Sequence, residues 1–254
     1  MRLSKAVTAL VFGALILLLA PTGTSVLAKR GVRLVCDIWP PYQMDTKAGY
    51  SGLSVDVVRA VYARLGVEDV EIMALPWKRA MEMVRYGDAD GLFSANRTPE
   101  REAYLYYPEE PLFESAWEIW TRHGTEVRSL EDLRGMTVGV VLGYSYTPEF
   151  WDFIRAHCTV EEVATDDVNF RKLAEGRIDA VAAEYGNGLT LATPLHADLH
   201  ANPGLKIKED GLFIVFSRDH TTEDAVRTFS DELKAFKKTE AYLILHEKYL
   251  GAGP

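Results

Sequence analysis

Short apolar runs alternate with helical spacings of apolar residues along the first third of the chain. The pattern predicts, in order, a strand at 33–38, a helix at 54–65, a strand at 70–74, a helix at 76–86 and a strand at 90–94. In the first helix Val57, Val58 and Val61 share one face, Ser54 can cap the start and Gly66 can end it. This order of elements predicts an α/β fold with a parallel sheet.

The same pattern starts again after residue 116. It predicts strands at 117–121, 136–142, 159–163 and 179–183, a helical turn at 129–133, helices at 147–157 and 168–175, a loop at 194–203, a strand at 212–217, and helices at 222–237 and 240–250. Both halves carry one local signature. Gly87 and Gly176 each end a helix, and Asp90 and Asp179 each open a strand three residues later. The repetition predicts two similar α/β lobes.

An uncharged apolar run near the N-terminus predicts export. Arg2 and Lys5 precede the run at 6–20, and the segment 26–28 supplies small or apolar residues for cleavage. The run has about 15 residues, fewer than the roughly 20 that a membrane-spanning helix needs. The sequence therefore predicts a signal peptide at 1–28 and a periplasmic protein.

Charge and cysteine content narrow the possible functions. The chain has 254 residues with 37 acidic and 28 basic side chains. Removing the predicted signal peptide, with its two basic and no acidic residues, leaves a net charge of 26 − 37 = −11. Such an acidic chain is a poor partner for nucleic acid or an anionic membrane surface. Cys36 and Cys158 cannot build a disulfide framework, and we predict two buried free thiols.

The carboxyl ends of the parallel strands predict where a ligand binds. Ser94, Asn96, Arg97 and Arg101 follow one strand, and a guanidinium flanked by hydroxyl or amide groups can hold a carboxylate. The alternative interpretation is a helix start with solvated arginines.

Two tryptophans at the same strand ends, Trp39 and Trp77, can form aromatic walls around a ligand, although core packing is the commoner role of tryptophan. Gly135, Gly139 and Gly143 lack both the spacing and the lysine of nucleotide-binding loops. We predict neither a cofactor nor a metal site.

Taken in order, these segments resemble the family 3 extracellular solute-binding proteins, the periplasmic receptors of polar amino-acid ABC transporters. The resemblance spans residues 30–250. It is carried by the signal peptide, Trp39-Pro40-Pro41-Tyr42, Gly52-Leu53-Ser54-Val55-Asp56, Thr98-Pro99-Glu100-Arg101, Leu130-Glu131-Asp132-Leu133-Arg134-Gly135 and Gly176-Arg177-Ile178-Asp179-Ala180.

The resemblance implies a two-lobed periplasmic-binding-protein fold of type II with the ligand in the cleft. Lobe 1 would comprise residues 29–116 and 209–254, and lobe 2 residues 117–208. By matching positions, Arg101 would bind the ligand carboxylate and Glu184 its ammonium group. The resemblance also implies contacts from Trp39, Trp77, Tyr144 and Ser145. The strand ends add Tyr42, Ser94, Asn96 and Arg97 to the predicted ligand-binding residues, and the last two depart from the family pattern.

The implied function is a non-enzymatic, monomeric binding protein. It would deliver a small carboxylate-bearing ligand, such as an amino acid, to an ABC permease in the inner membrane. Two alternatives stay open on the same scaffold. One is an enzyme similar to cyclohexadienyl dehydratase, with Glu184 as general acid, and the other is a sensory ligand-binding module.

Overall fold

The computed structural model describes residues 31–195 and 198–251, so the predicted signal peptide lies outside it. The described strands are β1 Val32–Cys36, β2 Met44–Thr46, β3 Gly49–Ser51, β4 Val70–Ala74, β5 Gly91–Asn96, β6 Leu105–Tyr106, β7 Phe113–Arg122, β8 Thr137–Val141, β9 Thr159–Val163, β10 Ala180–Glu184 and β11 Leu199–Ser217. The described α-helices are α1 Leu53–Arg64, α2 Trp77–Arg85, α3 Pro99–Glu102, α4 Pro148–His157, α5 Asp166–Ala174, α6 Tyr185–Ala192, α7 Glu223–Phe236 and α8 Glu240–Leu250. Short 3₁₀ turns lie at Leu130–Leu133 and Thr193–Leu195.

The predicted strand and helix order of the first third is confirmed. Strand β1 lies between β4 and β5 and is parallel to both. One predicted detail is wrong, because Ser54 does not cap α1. The helix begins after Gly52, whose φ is 129°, and the Ser54 hydroxyl instead lies buried 2.9 Å from the Ser94 hydroxyl. The predicted loop before α1 also contains the hairpin of β2 and β3.

The shared signature of the two halves has one structural role in both. Gly87 and Gly176 end their helices with φ values of 74° and 71°, a conformation that glycine adopts without strain. Asp90 Oδ2 accepts a hydrogen bond from the Arg33 amide at 2.7 Å. Asp179 Oδ2 accepts one from the Thr137 amide at 2.8 Å. Each aspartate therefore ties the start of its own strand to the parallel strand beside it.

Two long antiparallel strands, β7 and β11, join the halves in the middle of the sheet. The strand order is β4-β1-β5-β11-β7-β10-β8-β9, so the sheet is mixed rather than wholly parallel. Strand β11 includes part of the predicted loop at 194–203, and its register with β7 shifts between Asn202 and Lys206. Such an irregularity accommodates Pro203 and Gly204. Both predicted lobe boundaries, after residues 116 and 208, fall within these strands.

Apolar side chains are buried on both faces of this sheet. The predicted face of α1, formed by Val57, Val58 and Val61, is buried in the largest apolar cluster. Within the residues that the structure describes, no helix is both long and apolar enough to cross a membrane.

Both cysteines are free thiols, and only one of them is fully buried. Cys36 ends β1 in the core, and its burial next to Asp37 raises the pKa of its thiol. The prediction of a buried thiol is wrong for Cys158, which follows α4 and is partly exposed, with its Sγ donating to the Leu133 carbonyl at 3.1 Å.

We therefore expect alkylation of the native protein to label Cys158 well before Cys36, because the reactive thiolate needs access to solvent. Denatured, unreduced protein should take up two labels by intact-mass measurement. Cys158→Ser provides the control, and a denatured chain that takes up no label would show a disulfide instead.

Candidate ligand-binding site

A small cavity lies where β1, β5 and β8 end, at the carboxyl edge that the sequence predicts. Its volume is about 20 Å³, room for about one water molecule. Seven of the predicted site residues line it, together with two that the sequence analysis did not select. The lining residues are Asp37, Trp39, Trp77, Ser94, Asn96, Arg101, Trp117, Tyr144 and Ser145.

Arg101 is buried at this cavity by the short helix α3. Thr98 caps that helix by accepting from the Arg101 amide at 3.3 Å, which directs the side chain inwards. The guanidinium donates to the carbonyls of Asn96 at 3.0 Å and Gly143 at 3.1 Å. It also packs over the Trp77 ring at 5.3 Å. A guanidinium has five N–H donors, so these two bonds leave others for a ligand.

The charge of Arg101 has no ion-pair partner in the part of the chain that the structure describes. Among residues 31–195 and 198–251 no carboxylate forms an ion pair with Arg101, although only 7% of the residue is exposed. A buried cation in this state is electrostatically unfavourable. The arrangement therefore favours an anionic group beside Arg101.

A second cation, Lys208, comes to the same place from β11. Its Nζ donates to Asn96 Oδ1 at 2.8 Å and to the Ser145 carbonyl at 2.5 Å, and it lies 4.9 Å from the Trp117 ring centre. Burial lowers the pKa of Lys208 to about 8, against the opposing effect of Asp210. The sequence offered no signal for Lys208, because only the pairing of β11 brings it here.

Aromatic rings form the walls of the cavity. Trp39 stacks on Trp117 with ring centres 6.0 Å apart. Tyr144 meets the edges of both Trp77 and Trp117 at 5.7 Å. Trp39 and Trp77 are 3% and 4% exposed, so they pack as core residues and line the cavity at the same time.

The structure does not bring Arg97 to the cavity. Its guanidinium donates to the Pro108 carbonyl at 2.7 Å and to Glu102 at 3.3 Å, and it packs over the Phe213 ring at 4.8 Å. The second cation beside Arg101 is therefore Lys208 and not Arg97.

Glu184 and Tyr42 are not among the residues that line the cavity, and they contact each other. Glu184 caps α6 with both carboxylate oxygens. Oε1 accepts from the Gly186 amide and the Tyr42 hydroxyl, each at 2.9 Å, and Oε2 accepts from the Asn187 amide at 2.6 Å. Burial raises the pKa of Glu184, and these hydrogen bonds oppose the rise. The carboxylate therefore has a structural role in this conformation.

Two further carboxyl groups were not selected from the sequence. Asp37 directly follows β1 and accepts from the Tyr144 hydroxyl at 2.9 Å. Asp166 begins α5 and accepts from Trp39 Nε1 at 3.1 Å. Burial raises the pKa of Asp37 to about 6 and that of Asp166 to about 8, and the charge of Asp37 adds to the second rise. Asp37 falls inside the strand predicted at 33–38, and no sequence pattern marks Asp166.

Comparison with known proteins gives a family and a fold. The family model described as bacterial extracellular solute-binding proteins, family 3, matches residues 32–252. A comparison with curated protein sequences gives no match. Solved structures that superpose include an ancestral arginine-binding protein bound to arginine, with TM-score 0.78, 24% identity and coverage of 87% of this chain and 99% of that chain.

Two further structures extend the comparison. The substrate-binding protein of an amino acid ABC transporter has TM-score 0.75 and 17% identity, and the match covers 88% of this chain and 100% of that chain. The ancestral amino acid-binding protein AncCDT-1, a precursor of cyclohexadienyl dehydratase, has TM-score 0.73 and 21% identity, covering 87% and 95%. At these identities the likeness shows the fold alone, and the predicted periplasmic-binding-protein fold is confirmed. The family match extends over most of the chain, which therefore belongs to the family 3 bacterial extracellular solute-binding proteins.

Proposed function

We propose that this protein is a periplasmic solute-binding protein that captures a small carboxylate-bearing ligand, an amino acid, for an ABC permease in the inner membrane. One observation carries the proposal. Arg101 is a buried guanidinium without an ion-pair partner in the described chain, and it faces an aromatic cavity at the strand ends. A planar guanidinium binds both oxygens of a carboxylate, and its remaining donors fit that role. The likeness to an arginine-binding protein and to the substrate-binding protein of an amino acid ABC transporter supports an amino acid as the ligand.

Binding requires the cavity walls to separate, because about 20 Å³ cannot hold an amino acid. The proposed lobes are residues 29–116 with 209–254, and residues 117–208. In this conformation the Gly143 carbonyl accepts from both Arg101 and Trp77 across that division. A ligand carboxylate can take the place of this carbonyl when β7 and β11 act as the hinge.

Mass spectrometry of the molecule released on denaturing the purified protein tests this function. The expected result is a small carboxylate that raises the melting temperature of the emptied protein when it is added back. Release of a sugar or nucleotide that rebinds, while all twenty amino acids leave the melting temperature unchanged, would contradict the proposal.

A dehydratase function is the second candidate, and Asp166 favours it. A carboxyl group whose pKa is about 8 holds its proton at neutral pH and can act as a general acid. One similar structure is a precursor of cyclohexadienyl dehydratase. Incubation with prephenate separates the two functions. We expect no loss of prephenate, and sustained turnover above that of an Asp166→Asn variant would establish the enzyme.

Export is expected to leave a mature chain that begins at Lys29, because the apolar run at 6–20 and the segment 26–28 have the features of a cleaved signal. Intact-mass measurement of protein from the native periplasm checks this. A chain that retains Met1 in the membrane fraction would contradict the periplasmic location.

A further inference from the structure

We infer that Asp37 and Asp166 together form a cation-binding subsite, which holds a positively charged nitrogen group of the ligand, an ammonium or a guanidinium. The inference rests on the proposed function, since it adds a second recognised group to the carboxylate at Arg101. It places the positive end of the ligand at these two aspartates rather than at Glu184.

The two carboxyl groups are buried and act on each other electrostatically, Asp37 from the cavity after β1 and Asp166 from the start of α5. Asp37 is 5% exposed and Asp166 is 4% exposed. Trp39 and Tyr144, which line the cavity, hydrogen-bond to Asp166 and Asp37 respectively. The Tyr144 hydroxyl has a single proton, which it donates to Asp37, so this hydroxyl does not satisfy Asp166.

These two carboxyl groups lack a cation, and one of their oxygens lacks a hydrogen bond, among the residues that the structure describes. Asp166 Oδ1 is buried and makes no hydrogen bond to any described residue. No lysine, arginine or histidine of residues 31–195 and 198–251 forms an ion pair with Asp37 or Asp166. Two neighbouring buried carboxylates without a cation are unfavourable. A bound ligand cation would satisfy the free oxygen and favour the charged form of both carboxyl groups.

The surroundings supply room and aromatic faces for such a cation. Asp166 also borders a groove of about 380 Å³ that includes Ile38, Pro40 and Asn187. Trp39 and Trp117 line the same cavity as Asp37, and aromatic rings attract organic cations. Glu184 already accepts three hydrogen bonds, from Gly186, Asn187 and Tyr42, so it is less available than Asp166.

A thermal-stability panel provides the first test. It contains the twenty amino acids, agmatine and putrescine as cations without a carboxylate, and succinate and glutarate as carboxylates without nitrogen. We expect the largest stabilisation from compounds that carry both groups. Equal stabilisation by succinate would overturn the cation subsite and leave the carboxylate proposal intact. Equal stabilisation by putrescine would overturn the carboxylate proposal and leave the cation subsite intact. No stabilisation by any compound would overturn both.

Charge-removing variants provide the second test, by calorimetry with the compound that stabilises most. Asp37→Asn and Asp166→Asn should each weaken binding by about tenfold or more, because a desolvated cation loses its counter-charge. Asp167→Asn is the matched control, since Asp167 is the exposed neighbour and pairs with Arg171 on the surface. It should stay within about threefold of the parent. Parent-like affinity in both Asp37→Asn and Asp166→Asn would overturn the subsite.

Paired probes distinguish the two sources of the cation. L-Citrulline keeps the α-ammonium of L-arginine but lacks the charge of its side chain. If L-citrulline binds about as well as L-arginine and both depend on Asp166, the subsite holds the α-ammonium. If only L-arginine depends on Asp166, the subsite holds the side-chain cation. Dependence of neither compound on Asp166 would overturn the inference.

Proton release provides a readout that a purely structural role would not change. The groups that face Asp166 are Asp37 from the end of β1, Tyr144 and Tyr146 from the loop after β8, and Glu184 from the end of β10. A cation bound beside Asp166 lowers its pKa from about 8, so a proton leaves on binding at neutral pH.

Affinity should therefore rise as the pH increases from about 6 to about 8. Calorimetry in phosphate and Tris buffers measures the released proton, which Asp166→Asn should lose and Asp167→Asn should keep. Binding by the parent without proton release would contradict the inference.

Discussion

Replacing Arg101 with alanine is expected to reduce affinity for the carboxylate ligand by about 30-fold to several-thousand-fold. Removing one partner of a buried hydrogen-bonded charge pair costs roughly 2 to 5 kcal/mol, and each 1.4 kcal/mol corresponds to about tenfold in affinity. The guanidinium is buried beside Trp77, where water cannot replace its hydrogen bonds. Calorimetry with the ligand identified by mass spectrometry measures the effect.

Arg97→Ala is the matched control for this prediction. The two arginines lie four residues apart, but Arg97 is half-exposed and bonds to the Pro108 carbonyl and Glu102. Its loss should change affinity by less than about threefold, since exposed ion pairs contribute little. The affinity of Arg101→Lys should fall between those of Arg101→Ala and Arg97→Ala, because an ammonium keeps the charge but lacks the planar set of donors of a guanidinium. A large effect at Arg97 with none at Arg101, in folded variants, would move the carboxylate to Arg97.

Parts of the fold follow directly from local sequence. The parallel strands around β1 are short apolar runs between helices, and their own residues are enough to predict them. Strand β11 could not be predicted over its full length, because Pro203, Gly204 and the charged residues from Lys206 to Asp210 interrupt the apolar pattern of a strand. Its long pairing with β7, a tertiary contact, stabilises those residues as strand.

The site, too, could be predicted from the sequence only in part. Arg101, Trp77 and Ser94 lie at strand ends, and the carboxyl-edge rule selects them. The apolar run predicts a first strand to residue 38 and so places Asp37 inside it, whereas the strand ends at Cys36 and Asp37 borders the cavity. Asp166 looks like an ordinary acidic residue at a helix start. Only its burial against Trp39 makes it part of the site.

The charges around the cavity differ between its two sides. Arg101 and Lys208 share Asn96 as a hydrogen-bond acceptor, the first through its backbone carbonyl and the second through its side chain. Asp37 accepts from the Tyr144 hydroxyl, and Asp166 accepts from Trp39 Nε1. A ligand with a carboxylate and a nitrogen cation complements both pairs, whereas a dicarboxylate complements only the first. The electrostatic pattern therefore favours a zwitterionic ligand.

Glu184→Gln is expected to lower the stability of the protein while leaving ligand affinity within about threefold of the parent. The amide oxygen can still accept from Gly186 and Tyr42, but the amide NH₂ then faces the Asn187 N–H, donor against donor. One unsatisfied buried donor costs roughly 1 to 3 kcal/mol. At about 2 to 4 °C per kcal/mol for a chain of this size, the melting temperature should fall by about 2 to 12 °C.

Glu184→Asp is the control, because aspartate keeps the negative charge and is itself a good helix cap. Its melting temperature should be higher than that of the glutamine variant. The opposite pattern, with an unchanged melting temperature and an affinity for an amino acid that falls by about tenfold or more, would place the ligand ammonium at Glu184 and contradict the subsite at Asp37 and Asp166. Loss of a measurable turnover with retained binding would instead identify Glu184 as a general acid. Because stability, affinity and turnover are separate measurements, this one substitution distinguishes a helix cap, an ammonium ligand and a catalytic acid.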